Sequence, residues 1–250
     1  MKVDITGDCY VVGDIHGEAA ALASIFSAYD IKNCAVILLG DVGIWRYRDY
    51  KRYICLDNEA AERNIIVYAF RGNHDNPAFF TLNDDSSPIL KRFWNKFTNF
   101  KVLPDFTILN VNGNKGIILG GAVSIDRPFR KSFVKGKRNS AKFYCNDDWW
   151  AGENLPDANH IDEEVDFVLT HTGPRPPKIR PLNEDNCSFF VLDPTLTDAV
   201  AKEEKQIDEI YEQFHPKKWW FGHFHINESF EYKCSKCCTV DILNLSPLQM

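Results

Sequence analysis

The chain has little of what marks several large protein classes. No apolar run approaches the roughly 18 residues that cross a bilayer; runs such as Ala35-Val36-Ile37-Leu38-Leu39 fall far short. There is no excess of positive charge. Lys and Arg number 29 against 35 Asp and Glu, a net charge of −6, which argues against a nucleic-acid coat protein or a membrane-surface protein. The first eight residues, MKVDITGD, carry Asp4 and Asp8 and lack the apolar centre of a signal peptide. These absences predict a soluble protein of the cytoplasm. No internal repeat, low-complexity tract or linker interrupts the 250 residues, so a single domain over residues 1–250 is predicted. No heptads occur, and the sequence leaves the oligomeric state open.

Disulfide staples are also not expected. The eight cysteines stand in a chain without an export signal and read as reduced thiols. Cys234, Cys237 and Cys238 resemble half of a zinc knuckle, but no second cysteine pair or nearby histidine completes four ligands. The cluster is read as a polar hairpin. A composition of 44% hydrophobic and 26% charged residues is that of a globular chain able to bury a full core.

The first third repeats one pattern three times. Cys9–Val12 reads as a short buried strand, followed by a helix over 18–29. A second strand, Ala35–Leu39, precedes a helix over 57–63, and a third strand spans Ile65–Phe70. Buried strands joined by helices favour a parallel sheet covered on both faces. Further on, 106–111 and 116–123 read as a hairpin around Asn112-Gly113-Asn114. Val165–Leu169 and Trp219–Phe221 read as strands, 195–214 as an amphipathic helix, and 229–245 as two more strands. Residues 174–194 hold five prolines and read as a loop, and 127–160 as an irregular excursion.

Five of the apolar strands end in a short polar cluster. These are Gly13-Asp14-Ile15-His16-Gly17, Gly40-Asp41, Gly72-Asn73-His74-Asp75, Thr170-His171 and Gly222-His223-Phe224-His225. In α/β sheets, sites form beyond the carboxyl ends of strands. Asp, Asn and His are oxygen and imidazole ligands. Asp14 with His16, and His223 with His225, are two residues apart and face one side of an extended segment. Seven such groups are too many for one metal and suit two metals sharing a carboxylate. His160 and His215 sit in no cluster and are read as surface residues.

In this order the motifs GDIHG, GD, RGNHD, a strand-end His and GHFH resemble the calcineurin-like metallophosphoesterase superfamily. The resemblance spans residues 13–225. It implies a four-layer αββα sandwich with a dinuclear metal site at the strand ends. It implies Asp14, His16 and His225 as ligands of one metal, Asn73, His171 and His223 as ligands of the other, and Asp41 as the bridge. His74 is implied as a catalytic residue that meets the leaving-group oxygen. The activity implied is hydrolysis of a phosphomonoester or phosphodiester by a metal-bridging hydroxide, without a covalent phosphoenzyme. The donor set suits Mn, Fe or Zn, with manganese placed first.

The chain departs from one motif of the superfamily. Many members read GDxxDRG where this sequence has Gly40-Asp41-Val42-Gly43-Ile44-Trp45. The acid that supports the catalytic histidine is replaced by Ile44, and the arginine by Trp45. Asp75 or Asp126 is the candidate substitute for that acid. Core packing is the expected role of Trp45. Together with Gly120–Arg127, GDVGIW looks more like small bacterial and phage-type members than a Ser/Thr protein phosphatase.

Arg127, Arg130, Lys131, Lys135, Lys137, Arg138 and Lys142 form a run of seven cations with no acid between them. Arg127 and Arg130, nearest the site, are predicted to bind substrate phosphate. The expected substrate is a phosphorylated small molecule, a nucleotide or a phosphoprotein, with no membrane partner and no long nucleic acid. The alternative from another class is a metallophosphoesterase fold retired from catalysis and used as a protein scaffold. Such a chain would show eroded ligands, and here all seven positions hold competent residues.

Overall fold

A computed structural model describes residues 1–81, 88–128, 154–159, 161–183 and 185–249. Strand β3 (Cys34–Leu38) is buried along its whole length and shows how the layers arise. Its side chains alternate between two faces. Val36 and Leu38 join a core with Leu22, Phe26, Tyr53 and Leu56, which come from helices α1 (Ala19–Ala28) and α2 (Tyr50–Glu62). Ala35 and Ile37 join a different core with residues of a second sheet.

The sheet containing β3 has five strands. β2 (Asp8–Val12), β3, β4 (Ile65–Ala69) and β5 (Phe100–Val102) run parallel, and β12 (Leu245–Pro247) adds an antiparallel edge beside β2. The second sheet has seven strands. They are β1 (Lys2–Ile5), β6 (Ile108–Val111), β7 (Asn114–Leu119), β8 (Phe167–Thr170), β9 (Lys218–Phe221), β10 (Glu228–Tyr232) and β11 (Ser235–Thr239), in the order β1-β6-β7-β8-β9-β11-β10. Its outer face packs on helix α5 (Thr195–Phe214) through Ile207, Ile210, Tyr211 and Phe214. That spacing places the four side chains on one helical face. The layers are therefore helix, sheet, sheet, helix, as the family resemblance implies.

Local chemistry explains most boundaries. Asn112 and Gly113 both have positive φ, 52° and 87°, the backbone that a tight two-residue hairpin requires. Helix α2 starts seven residues before the predicted 57–63. Its buried positions Tyr53, Leu56, Asp57 and Ala60 follow helical spacing, but Asp57 puts an acid into the apolar stripe. That acid accepts hydrogen bonds from the N–H groups of Thr98, Asn99 and Phe100 at 2.7–3.0 Å. Helices α3 (Pro88–Trp94) and α4 (Ser188–Leu192) and the short edge strands β1, β5 and β12 carry too little periodicity to predict. Within 174–194, read as a loop, α4 is a single short helix.

The seven cysteines among the described residues are free thiols. Cys237 faces the α5 core and Cys238 the inter-sheet core, because successive strand residues point to opposite faces. These two sulfurs therefore cannot grip one ion. Among the described residues no helix is long and apolar enough to cross a membrane.

Candidate metal centre

β2, β3 and β4 run parallel in one sheet, and β8 and β9 in the other, so their carboxyl ends share one rim. Each is followed within a few residues by a polar group. The rim brings together all seven predicted ligands. Asp14, Asp41, Asn73 and His171 are buried, His223 is half-buried and His16 and His225 are exposed.

The outer part of the cluster is built on Asp14. Its Oδ2 lies 2.8 Å from His225 Nε2 and 3.6 Å from His16 Nε2, and the two imidazole nitrogens are 3.3 Å apart. Asp14 Oδ1 accepts the His223 N–H at 2.9 Å. The inner part is built on Asp41. His171 Nε2 is 3.2 Å from Asp41 Oδ1 and 2.8 Å from Asn73 Oδ1. The other ring nitrogen of His171 bonds the Leu39 carbonyl at 2.7 Å, which fixes the ring. Asn73 Nδ2 donates to Ser124 Oγ at 2.9 Å and so turns its oxygen toward His171. The His223 ring stands 5.1 Å from that of His171.

The backbone is strained where the ligands project. His16, Asp41, His223 and His225 are non-glycine residues with φ of 43°, 46°, 66° and 52°. Left-handed backbone costs roughly 1–2 kcal/mol per residue and persists only where surroundings enforce it. The Asp41 carbonyl enforces part of it by accepting the Ile15 and His16 N–H groups at 3.2 and 2.8 Å. Glycine matters at two neighbours. A Cβ on Gly72 would collide with Asp41, and one on Gly222 with the Asp14 carboxylate.

Charge follows the burial. Burial pushes the Asp41 carboxyl up, but His171, His74 and His16 outweigh it and hold it well below the usual range. Burial pushes His171 down, yet Asp41 and Asp14 raise it to about 10. His223 is held down to about 3 by burial and by its neighbour His171. Its imidazole is neutral at pH 7, the form that ligates a metal.

Three overlapping donor sets lie close enough to hold an ion: Asp14, His16 and His225; Asp14, Asp41 and His171; and His16, Asp41 and His74. The atoms within each set are within 4.8 Å of one another. Mixed imidazole and carboxylate donors fit a divalent transition metal. Carboxylates shared between sets fit two neighbouring ions better than one. His74 is half-buried, with its ring 5.2 Å from that of His16.

Asp75 is the residue whose role sequence reasoning missed. Its buried carboxylate accepts hydrogen bonds from the N–H groups of Val42, Gly43, Ile44 and Gly72 at 2.7–3.0 Å. It thereby joins the β3 and β4 loops. Arg71 is buried and pairs with Asp105 at 2.8 Å. Trp45 is half-buried at the rim, and its indole N–H donates to the His74 carbonyl. Arg127 pairs with Asp193 Oδ2 at 2.9 Å and bonds Thr195 Oγ1 at 2.8 Å. Arg130, the rest of the basic run and His160 lie outside the described residues.

A family model described as calcineurin-like phosphoesterase matches residues 9–227. Among solved structures, a protein of Thermus thermophilus is 12% identical with a TM-score of 0.49, the match covering 96% of this chain and 97% of that one. A phosphopantetheinyl hydrolase from Mycobacterium tuberculosis is 15% identical with a TM-score of 0.45, covering 96% of this chain and 90% of that one. Comparison with curated protein sequences finds no match.

Proposed function

Because the chain belongs to the calcineurin-like phosphoesterase family, we propose that it hydrolyses a phosphomonoester or phosphodiester using two divalent metal ions held at the strand-end rim. The observation that carries this reading is the set of three overlapping donor groups sharing Asp14, His16 and Asp41. Asp14, His16 and His225 would hold one ion, Asn73, His171 and His223 the other, and Asp41 both. Two bound divalent ions lower the pKa of water and neutralise phosphate oxygens.

The chain's own groups do the rest. Asp41 keeps its charge under burial and sets the spacing of the two halves. Leu39 and Ser124 hold His171 and Asn73 in their rotamers, and the proton between His171 Nε2 and Asn73 Oδ1 would give way to an ion held there. His74 supplies the proton for the leaving oxygen, a task suited to an imidazole near neutral pH. No serine or cysteine stands in a matching nucleophile motif, so direct hydrolysis is proposed, with inversion at a chiral phosphorus. Arg127 and Arg130 are proposed as phosphate contacts. Arg127 follows Ser124 by three residues, and a guanidinium carries more donors than the two bonds to Asp193 and Thr195 use. The shared strands of the three cores support one domain over residues 1–250.

The test compares a chromogenic phosphomonoester with the matching diester after chelation and reloading with manganese. Manganese-dependent turnover supports the reading, and the preferred ester separates phosphatase from phosphodiesterase. No turnover with no bound metal would favour the scaffold alternative.

A further inference from the structure

We infer that Trp45 is the positioning residue of His74, an inference that rests on the role proposed above for His74. An indole has one polar atom, a donor that finds a partner when covered. In this structure the Trp45 N–H donates to the backbone carbonyl of His74. On its other side the His74 N–H donates to Asp41 Oδ1 at 2.7 Å. Both main-chain polar groups of His74 are therefore held, one by the proposed bridging carboxylate and one by Trp45. That sets the direction of the Cα–Cβ bond and leaves the ring only its side-chain torsions.

Trp45 is itself anchored. Its N–H donates to Asp49 Oδ2 at 2.9 Å, and its carbonyl accepts from Asn76 Nδ2 at 3.1 Å. Asp49 is buried and also bonds the Arg46 N–H and side chain. The indole thus extends from a fixed backbone to one atom of His74.

The joint between the two loops does not depend on the indole. Asp75 accepts three N–H bonds from Val42, Gly43 and Ile44, and the Asn76 N–H donates to the Ile44 carbonyl at 2.9 Å. Removing the indole N–H leaves those bonds in place and takes away the bond that Trp45 makes to the His74 carbonyl. A small displacement of a catalytic group can cost a large factor in rate without disturbing the fold.

The test is Trp45→Phe, which keeps an aromatic ring and deletes the donor. It is assayed on 4-nitrophenyl phosphate and phenyl phosphate, or on the corresponding diesters if those are preferred. A proton donor matters more as the leaving group worsens. The expected result is a loss of about 10-fold in kcat on the phenyl ester and under about 2-fold on the 4-nitrophenyl ester, with bound metal unchanged. In a His74→Ala background the same substitution should change neither rate. Equal losses on both esters, or a further loss without His74, would mean a merely structural role and overturn the inference. Indole hydrogen exchange, followed by NMR on the wild-type protein, tests the bond independently of turnover and of the variant's folding. Slow exchange at Trp45 is expected, and exchange as fast as in a free indole overturns the inference. Failure of the wild type to hydrolyse any ester, with the indole protected, overturns the proposed function and this inference with it; a fast-exchanging indole in an active enzyme overturns the inference alone.

Discussion

His171 and His225 are both imidazoles beside a buried carboxylate, yet the His171 side chain is 0% exposed and that of His225 45%. The inner half of the site is a closed polar network. His171 has partners at both ring nitrogens, Asn73 at both amide atoms, and Asp41 at His171 and the His74 N–H. The outer half is open. His16 and His225 reach Asp14 from loops with left-handed backbone and face each other across 3.3 Å. Burial makes an unmade interaction costly, whereas solvent substitutes for one that is lost. The same donor types should therefore give a permanent inner subsite and an exchangeable outer one.

The sharpest way to break this comparison is to remove inner groups. Asp41→Asn and His171→Ala should each lower kcat/KM by about 10³-fold, the scale of the charge stabilisation that bound metal supplies. Bound metal, measured by elemental analysis, should fall with it. Full metal content with either variant would contradict the assigned ligands. His74→Ala sets the next boundary. Activity should fall by roughly 10²-fold while metal content stays near wild type. Loss of metal would make His74 a ligand, as its closeness to His16 and Asp41 permits.

Outer substitutions should be milder and reversible. His225→Ala should cost about 10-fold, and added metal should restore much of the loss by mass action. A chelator titration should remove one equivalent of metal well before the second. Simultaneous loss of both would erase the distinction between the halves.

The smallest effect lies outside both halves. Burial pushes the Asp193 carboxyl up, but Thr195 and Arg127 outweigh it and hold it below the usual range. A lowered folded pKa stabilises above the unfolded value, near 3.9, and that contribution fades as pH falls further. Asp193→Asn should cost about 1 kcal/mol at pH 7. The difference in Tm from wild type should shrink below about pH 4. Arg127→Ala should lower Tm similarly. A raised KM in that variant, with metal content unchanged, would support its proposed phosphate contact.

Much of the site was legible because its signals are local. Asp14 with His16 and His223 with His225 are two-residue spacings at the ends of apolar runs, and Asn73-His74 follows one after Arg71-Gly72. The helix 195–214 was legible for the same reason, since its apolar face repeats within one segment. Asp75 and Trp45 were not legible. Asp75 reads as a candidate support for His74, and nothing local signals the four N–H groups from two loops that surround its carboxylate. Trp45 reads as core until its single donor is found on the His74 carbonyl. The early start of α2 was hidden because Asp57 looks misplaced until the 98–100 backbone satisfies it.

By itself the sequence determined the residue types at each strand end, their order and a parallel sheet covered on both faces, while the αββα layering came through the family resemblance of those motifs. The first three follow from chain-local periodicity, with strands buried on both faces and glycines beside the polar groups. Only the tertiary structure decided which donors are enclosed and which are open, which acid braces loops, and what holds His74. Those outcomes depend on contacts between residues 29 to more than 200 positions apart, such as Trp45 with His74 and His16 with His225. Burial and hydrogen-bond partnership are properties of such contacts, and no spacing within one segment encodes them.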